Sequence, residues 1–274
     1  MKIIVDSGSS IKQQEKALYG VDILPLRVQI GDESFLDSVD LTADNFYEYL
    51  RTDEFPKTSL PSLEEVENLV EGYTATGEDV LLITISSGIS GTYQTFCALF
   101  QDNPKVLVYD SKFAVGGIRF LVEEALSYKD CSLEFVKEKL DALIPRIMVM
   151  AIPNTLDYLL AGGRLSKASW MIGSLLSIRP VIGIVDGKVT VLSKKRGNKQ
   201  AMKEILDTIK TVGFDKKYGI NASYTMNRNN VEQLIEMADE DVRAGIKVFD
   251  NLCPSIACHW GPEAFGFIFV KEAQ

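Results

Sequence analysis

Short apolar runs of strand length recur through the first half of the chain with helix-patterned stretches between them. This alternation restricts the fold more than any other feature. The runs are Lys2–Val5, Val80–Ile85, Val106–Tyr109 and Arg146–Ile152, β-branched and of the length of buried strands. Between them, Ser62 and Glu65 make a capping-box pattern ahead of a helix over Leu63–Tyr73. Thr92–Phe100 and Gly117–Tyr128 are helical in length and spacing, and Ser132 can cap a helix over Leu133–Ile144. Strands alternating with helices predict an α/β lobe on a parallel sheet covered on both faces, with ligands at the C-terminal ends of the strands.

Residues 21–37 interrupt the rhythm. Leu24–Ile30 followed by Gly31-Asp32-Glu33-Ser34 reads as a strand and a turn, a hairpin that can lie against a second lobe. The C-terminal half has a different pattern. Two short helices, Leu156–Ala161 and Lys167–Ser177, precede strands Pro180–Val185 and Lys188–Ser193, which flank the hairpin signal Asp186-Gly187. A helix over Lys199–Thr211, a strand near Tyr218–Ser223, a helix over Asn230–Ala244 and strands near Lys247–Phe249 and Gly266–Val270 follow. This predicts an α+β lobe with a mixed or antiparallel sheet, helices on one face, and a boundary near Ile152-Pro153-Asn154. The domains are then 1–152 and 153–274. No internal repeat or low-complexity tract is visible.

Composition narrows the function. The 274 residues are 46% hydrophobic and 24% charged, ordinary values for a globular chain that buries enough surface to fold without disulfides or metals. With 29 basic and 38 acidic residues the net charge is −9, which argues against a nucleic-acid partner, since a phosphate backbone wants a basic footprint. No apolar run approaches the roughly 18 residues of a membrane helix. The start, Met1–Asp6, lacks the apolar stretch of a secretory signal, so the expectation is a cytoplasmic protein without an integral membrane segment. Cys97, Cys131, Cys253 and Cys258 show no Cys-x-x-Cys spacing and read as reduced thiols. The single histidine, His259, excludes zinc sites of the His₂ or His₃ kind within one chain.

Five segments can carry chemistry. Ser86-Ser87-Gly88-Ile89-Ser90-Gly91-Thr92 follows a strand and opens a helix, where free N–H groups and hydroxyls attract an anion. A tight turn with capping serines accounts for the same residues. The loop is neither a P-loop nor a Gly-x-Ser-x-Gly elbow. Thr58-Ser59-Leu60-Pro61-Ser62 is a second hydroxyl-rich turn, in which the connection into the Ser62 cap explains all but Thr58 and Ser59. Gly162-Gly163-Arg164-Leu165-Ser166-Lys167 reads as a helix end and a new cap, leaving its two cations unexplained. Lys194-Lys195-Arg196-Gly197-Asn198-Lys199 is a basic run on an acidic protein, and a solvated strand end is its default reading. His259 lies in Cys258-His259-Trp260-Gly261-Pro262, read as a turn ahead of the last strand.

Taken in order, these segments resemble the DegV family of bacterial fatty-acid-binding proteins, over essentially the whole chain. Val5-Asp6-Ser7, Leu24-Pro25-Leu26, Asp40-Leu41-Thr42 and Asp110-Ser111 extend the same resemblance. It implies two α/β lobes with a lipid tunnel between them. The family's carboxylate-holding residues fall on Thr58, Ser90, Arg164, Arg196 and His259, with Ser59, Gly88, Gly91 and Thr92 as supporting loop. The chain departs from the family at Val5-Asp6-Ser7-Gly8, at Trp260, where a small residue is usual, and at Glu263, where a second glycine is usual. The last two bear on acyl-chain selectivity and the pocket mouth. For the acyl chain, Trp170–Ile178 is apolar with small gaps, and Met171, Ile172, Leu175 and Leu176 are the candidate lining; the segment also reads as a plain buried helix.

The resemblance further implies a carrier without chemistry or cofactor of its own. It presents a bound long-chain fatty acid to a separate fatty acid kinase, which makes the acyl phosphate with ATP, a step toward phospholipid synthesis. Arg164, Lys167, Lys195 and Arg196 would form the partner-facing patch. A serine acyl hydrolase using Ser90 with His259 as base is the alternative, against which stand the absent elbow motif and the lack of an acidic partner for His259. A sugar-kinase lobe fails for want of phosphate and magnesium motifs.

Overall fold

The computed structural model describes residues 1–51, 55–166 and 178–273. Up to Arg146 the strands are β1 (Lys2–Asp6), β2 (Val21–Leu24), β3 (Arg27–Ile30), β4 (Glu33–Leu36), β5 (Lys57–Ser59), β6 (Val80–Thr84) and β7 (Val106–Asp110). The helices of this part are single turns α1 (Lys16–Tyr19) and α2 (Ala43–Phe46), then α3 (Leu63–Ala75), α4 (Thr92–Phe100), α5 (Gly116–Leu126) and α6 (Leu133–Leu143). Beyond it lie β8 (Ile147–Ile152), β9 (Ile178–Val185), β10 (Lys188–Arg196), β11 (Ile220–Tyr224), β12 (Ile246–Asn251) and β13 (Phe265–Val270). They are accompanied by α7 (Asp157–Ala161), α8 (Gly197–Val212), α9 (Asn229–Met237), α10 (Glu240–Gly245) and α11 (Pro254–Trp260).

The alternating half folds as its pattern predicts, on a parallel sheet of order β2-β1-β6-β7. Side chains alternate across it. Ile4, Val80 and Leu82 face α3 and α4 through Val66, Val70 and Phe96. Ile3, Val5, Leu81 and Ile83 point the other way, into a cluster built around Ile118, Leu121 and Val122 of α5. Helix α5 has no solvent face, because the same cluster continues into Val149, Ile182 and Ile268 of a second, six-stranded sheet. That sheet has the order β10-β9-β8-β13-β11-β12 and is antiparallel except for the β11–β12 pair. Its other face packs on α8 and α9 through Met202, Ile205, Val231 and Leu234.

Five expectations change. The Arg146–Ile152 strand pairs antiparallel with β13 and β9, so it belongs to the second sheet and the change-over falls ahead of Ile147 rather than after Ile152. Residues 21–37 divide: β2 joins the parallel sheet, while β3 and β4 make the hairpin and take β5 as a third antiparallel strand. This small sheet lies against α11, Val28 and Phe46 sharing a cluster with Ala257 and Cys258. The helix expected over Asn230–Ala244 breaks at Asp239, whose carboxylate accepts from the Val242 N–H at 2.9 Å and starts α10. The presumed turn around His259 is helix α11, opened by Pro254 at its first position and closed by Gly261 at φ 72°. Helices cover both faces of the second sheet rather than one. The helix expected over Lys167–Ser177 lies outside the described residues.

The hairpin at Asp186-Gly187 forms as expected, with φ 48° and 78° at its two central residues, the left-handed values a type I′ turn requires. The tip of this hairpin reaches back to the first lobe. The Ser86 hydroxyl donates to the Gly187 carbonyl at 2.7 Å. A Cβ on Gly88 would stand 2.4 Å from that same carbonyl oxygen. Gly88→Ala should therefore lower the unfolding free energy by about 1–3 kcal/mol through overpacking. Gly91→Ala, whose Cβ would meet nothing within 4 Å, should cost less than about 1 kcal/mol. Urea denaturation of the two variants side by side checks the difference.

Candidate functional site

Loops at the C-terminal ends of β2 and β6, strand β5, the segment after α7, and α11 converge on one cavity of about 250 Å³ between the lobes. Asp6 ends β1, and its carboxylate accepts from the N–H groups of Gly8 at 3.0 Å and Ile85 at 2.7 Å. Complete burial pushes the Asp6 carboxyl up to about 7 against those two hydrogen bonds. The loop after β6 is then folded by its own serines and by β7. Ser86 Oγ accepts from the Gly88 N–H at 3.2 Å, and the Ser87 N–H donates to Asp110 at 3.0 Å. Ser90 Oγ and Thr92 Oγ1 are 2.9 Å apart at the start of α4. Ser90 and Gly91 line the cavity, whereas Gly88 packs on the hairpin tip and Thr92 is buried behind Ser90.

Thr58 and Ser59 come from β5, which is held by pairing with β3, Thr58 opposite Val28. Both line the cavity. Across it, His259 projects from the last turn of α11, and its Nε2 lies 2.8 Å from Thr58 Oγ1. Burial, reinforced by the Arg164 charge, lowers the His259 pKa to about 4, so the imidazole is neutral near pH 7. Its Nδ1 is buried with no hydrogen-bond partner. The ring edge there rests on Gly162, where a Cβ would stand 2.4 Å from Nδ1. Arg164 is half-buried beside it, its Nε donating to the Ile89 carbonyl at 3.1 Å and its guanidinium also to the Gly162 carbonyl. Burial lowers the Arg164 pKa from its ordinary value. The one cation of the cavity wall among the described residues is thus fixed by backbone carbonyls.

The remaining wall is apolar: Leu26, Ile85, Leu159, Ile184, Ile256 and Trp260 face the same space. Ser255 of α11 also reaches it and connects to a buried polar layer behind. The Ser255 and Ser7 hydroxyls donate to the Asp37 carboxylate, Ser7 at 2.6 Å, and the Leu26 N–H donates to Ser7 Oγ at 3.0 Å. Burial raises the Asp37 pKa despite these donors. Sequence reasoning missed this layer, for its members are far apart in the chain and each is an ordinary polar residue locally.

Of the expected site residues, Thr58, Ser59, Ser90, Gly91, Arg164 and His259 meet at the cavity. Arg196 does not. It is exposed at the end of β10, seven residues beyond the cavity-lining Val189, roughly 23 Å along an extended strand. Arg196 is thus not among the residues that line the cavity around Thr58, Ser90 and His259, and Lys195 beside it pairs with Glu204 at 2.7 Å. Lys167, Met171, Ile172, Leu175 and Leu176 lie outside the described residues. Trp260, expected to bear on the mouth, is only 7% exposed and belongs to the interior wall. Glu263 stands at φ 60°, a left-handed position that favours glycine, and its carboxylate accepts from Asn227 at 2.9 Å outside the cavity lining. Ser90 and His259 share the cavity without a hydrogen bond to each other, each being paired with a threonine.

Among the described residues no helix is long and apolar enough to cross a membrane, and no cluster of three or more His, Cys, Asp or Glu side chains could hold a metal ion. The sequence profile of the DegV family, described as a family of uncharacterised proteins, matches residues 1–272. A DegV domain-containing protein of Clostridium acetobutylicum is 30% identical over 98% of each chain. Among solved structures, a DegV family protein of Thermus thermophilus described by its fatty acid binding is 28% identical, covers 99% of both chains and superposes with a TM-score of 0.87. A stearic-acid-binding protein of Eubacterium ventriosum is 25% identical over 98% of both chains, with a TM-score of 0.84. With a family match across nearly its full length and a family structure superposing over 99% of it, this chain belongs to the DegV family.

Proposed function

We propose that the protein binds a long-chain fatty acid in the cavity between its lobes and acts as a carrier, presenting the carboxyl end to a separate fatty acid kinase. The observation that carries this reading is the division of the cavity wall. Hydroxyls, a neutral imidazole and an arginine gather at Thr58, Ser90, His259 and Arg164, while most of the remaining wall is aliphatic or aromatic. A carboxylate leaving water needs several hydrogen-bond donors, and an acyl tail needs a dry apolar wall. The fatty acids bound by the Thermus and Eubacterium relatives support the same ligand class.

The imidazole has a definite part in this arrangement. With Nε2 protonated, His259 donates to Thr58 Oγ1 and leaves the threonine hydroxyl proton free for the carboxylate. The Ser90 hydroxyl and the N–H groups opening α4 complete the donor set, and Arg164 supplies the charge. Lys195 and Arg196, away from the cavity, join Arg164 and Lys167 in the proposed kinase-facing surface. A positive patch on a chain of net charge −9 would steer an acidic partner toward it. The hydrolase alternative lacks the nucleophile–base contact that would activate Ser90.

Mass spectrometry of lipid extracted from the purified protein should find a fatty acid of about sixteen or more carbons, since each buried methylene contributes about 0.8 kcal/mol. Protein that arrives empty and takes up neither palmitate nor oleate refutes the carrier reading. Turnover of acyl esters by the isolated protein would favour the hydrolase. Ser90→Ala and Thr58→Val should each weaken palmitate binding about 5- to 150-fold, the loss of one donor at about 1–3 kcal/mol. Unchanged affinity in both would move the headgroup elsewhere.

The single imidazole gives a direct titration. In the free protein its NMR signal should titrate near pH 4. A carboxylate within hydrogen-bonding range favours the charged ring, so the midpoint should rise by about one to three pH units on adding palmitate. A midpoint unmoved by saturating ligand would mean that the carboxylate is not beside His259.

A further inference from the structure

We propose that Trp260 sets the longest acyl chain this protein accepts, by standing as a partition where the binding cavity would otherwise continue into the protein. The inference rests on the fatty-acid reading above and deepens it. A second cavity, of only about 20 Å³, lies on the far side of the tryptophan against β8 and β13. Trp260 is the one described residue that lines both spaces. Ala114 faces the binding cavity while its neighbour Val115 faces the small one, so the backbone between them continues the same partition.

The chemistry of the small cavity identifies what would enter it. Its wall is apolar apart from Ser223, and its floor is made of small residues, Ala151, Ala264 and Gly266. A space of that size and lining holds no more than about one water molecule and disfavours even that. An acyl terminus is the fitting occupant once the indole is gone. Trp260 is 7% exposed and packs in one cluster with Val149, Leu252 and Ile268, so it cannot swing out without opening the core between the lobes. A rigid partition gives a sharp length limit.

The other side of the binding cavity offers a contrasting route. Ile184 lines both the binding cavity and an outer groove of about 510 Å³ edged by Lys112 and Lys271. A tail that escaped in that direction would sense Ile184 instead of Trp260.

Binding of a series of saturated fatty acids from fourteen to twenty-two carbons to the purified protein tests the assignment. The wild type should gain affinity with length up to a limit and then lose it. Trp260→Ala should move the limit up by at least two carbons, the first added methylenes each gaining about fourfold in affinity where the wild type gains nothing. Because removing a buried tryptophan can compromise folding, Trp260→Leu is measured in parallel with circular dichroism and should move the limit in the same direction. Folded Trp260 variants that bind fatty acid with the wild-type length limit overturn the partition. So does an Ile184→Ala variant whose limit moves while that of the Trp260 variants stays fixed. A wild type that binds no fatty acid of any length overturns the carrier reading, and the partition with it.

Discussion

The burial of helix α5 on all sides is the constraint on which the rest of the structure depends. A helix with no solvent face needs a partner for every side chain: two different sheets supply the apolar ones, while its buried Arg119 and Glu124 pair with Glu15 and Lys217. The parallel sheet contributes Val5 and Ile83, the six-stranded sheet Val149 and Ile268, and α5 fills the space between them with Ile118, Leu121 and Val122. Beside that cluster, strand β5 and the loop after β6 face α11 across the cavity. Its polar end arises because strand ends and helix starts must leave backbone groups unpaired, and hydroxyl residues gather where those groups are.

Electrostatics at that end suit the carboxylate proposed for the site. His259 is held neutral by burial and by the neighbouring Arg164, whose own charge is costly in the same surroundings. A carboxylate bound there, as proposed, would ease both effects, because an opposite charge stabilises the guanidinium and no longer penalises a proton on the ring. The carboxylates nearby do not compete. Asp37 is turned away from the cavity by Ser7 and Ser255, and Asp6 is occupied by the Gly8 and Ile85 N–H groups. The donors of the site are thereby kept for the proposed ligand, while the acids fix the loops that carry them.

How much of this was legible in the sequence depends on whether the information was local. The parallel sheet was, because β1, β6 and β7 announce themselves as short apolar runs separated by capped helices. The sheet to which β8 belongs was not, since a strand buried on both faces reads alike in either sheet. Helix α11 was missed for a related reason: with Ile256, Ala257, Cys258 and Trp260 all buried it has no polar face to reveal a helical period. The break at Asp239 was legible as a cap but was masked by apolar spacing that runs on through it. Thr58, Ser90, Arg164 and His259 were found because their segments matched a family pattern, but Arg196 shows the limit of matching. A strand ladder places it at the far end of β10 from the cavity, and nothing in its flanking residues records that distance. The pairing of Ser7 and Ser255 with Asp37 carried no local signal, the partners being 30 and 218 positions apart.

The glycines of the 162–164 segment show what such a motif encodes. Gly163, at φ 70°, fits the reading as a helix-ending residue. Gly162 does not need that reading, because its backbone is ordinary, with φ −72° and ψ −8°. What forbids a side chain at 162 is the His259 ring lying against its Cα. The same residue's carbonyl accepts from the Arg164 guanidinium. One position therefore sets both the imidazole, by making room for it, and the cation, by anchoring it. A side chain there would displace the ring from Thr58, and moving the ring would alter the field that Arg164 and His259 exert on each other. The neutral imidazole and the charged guanidinium are coupled through a side chain that is absent.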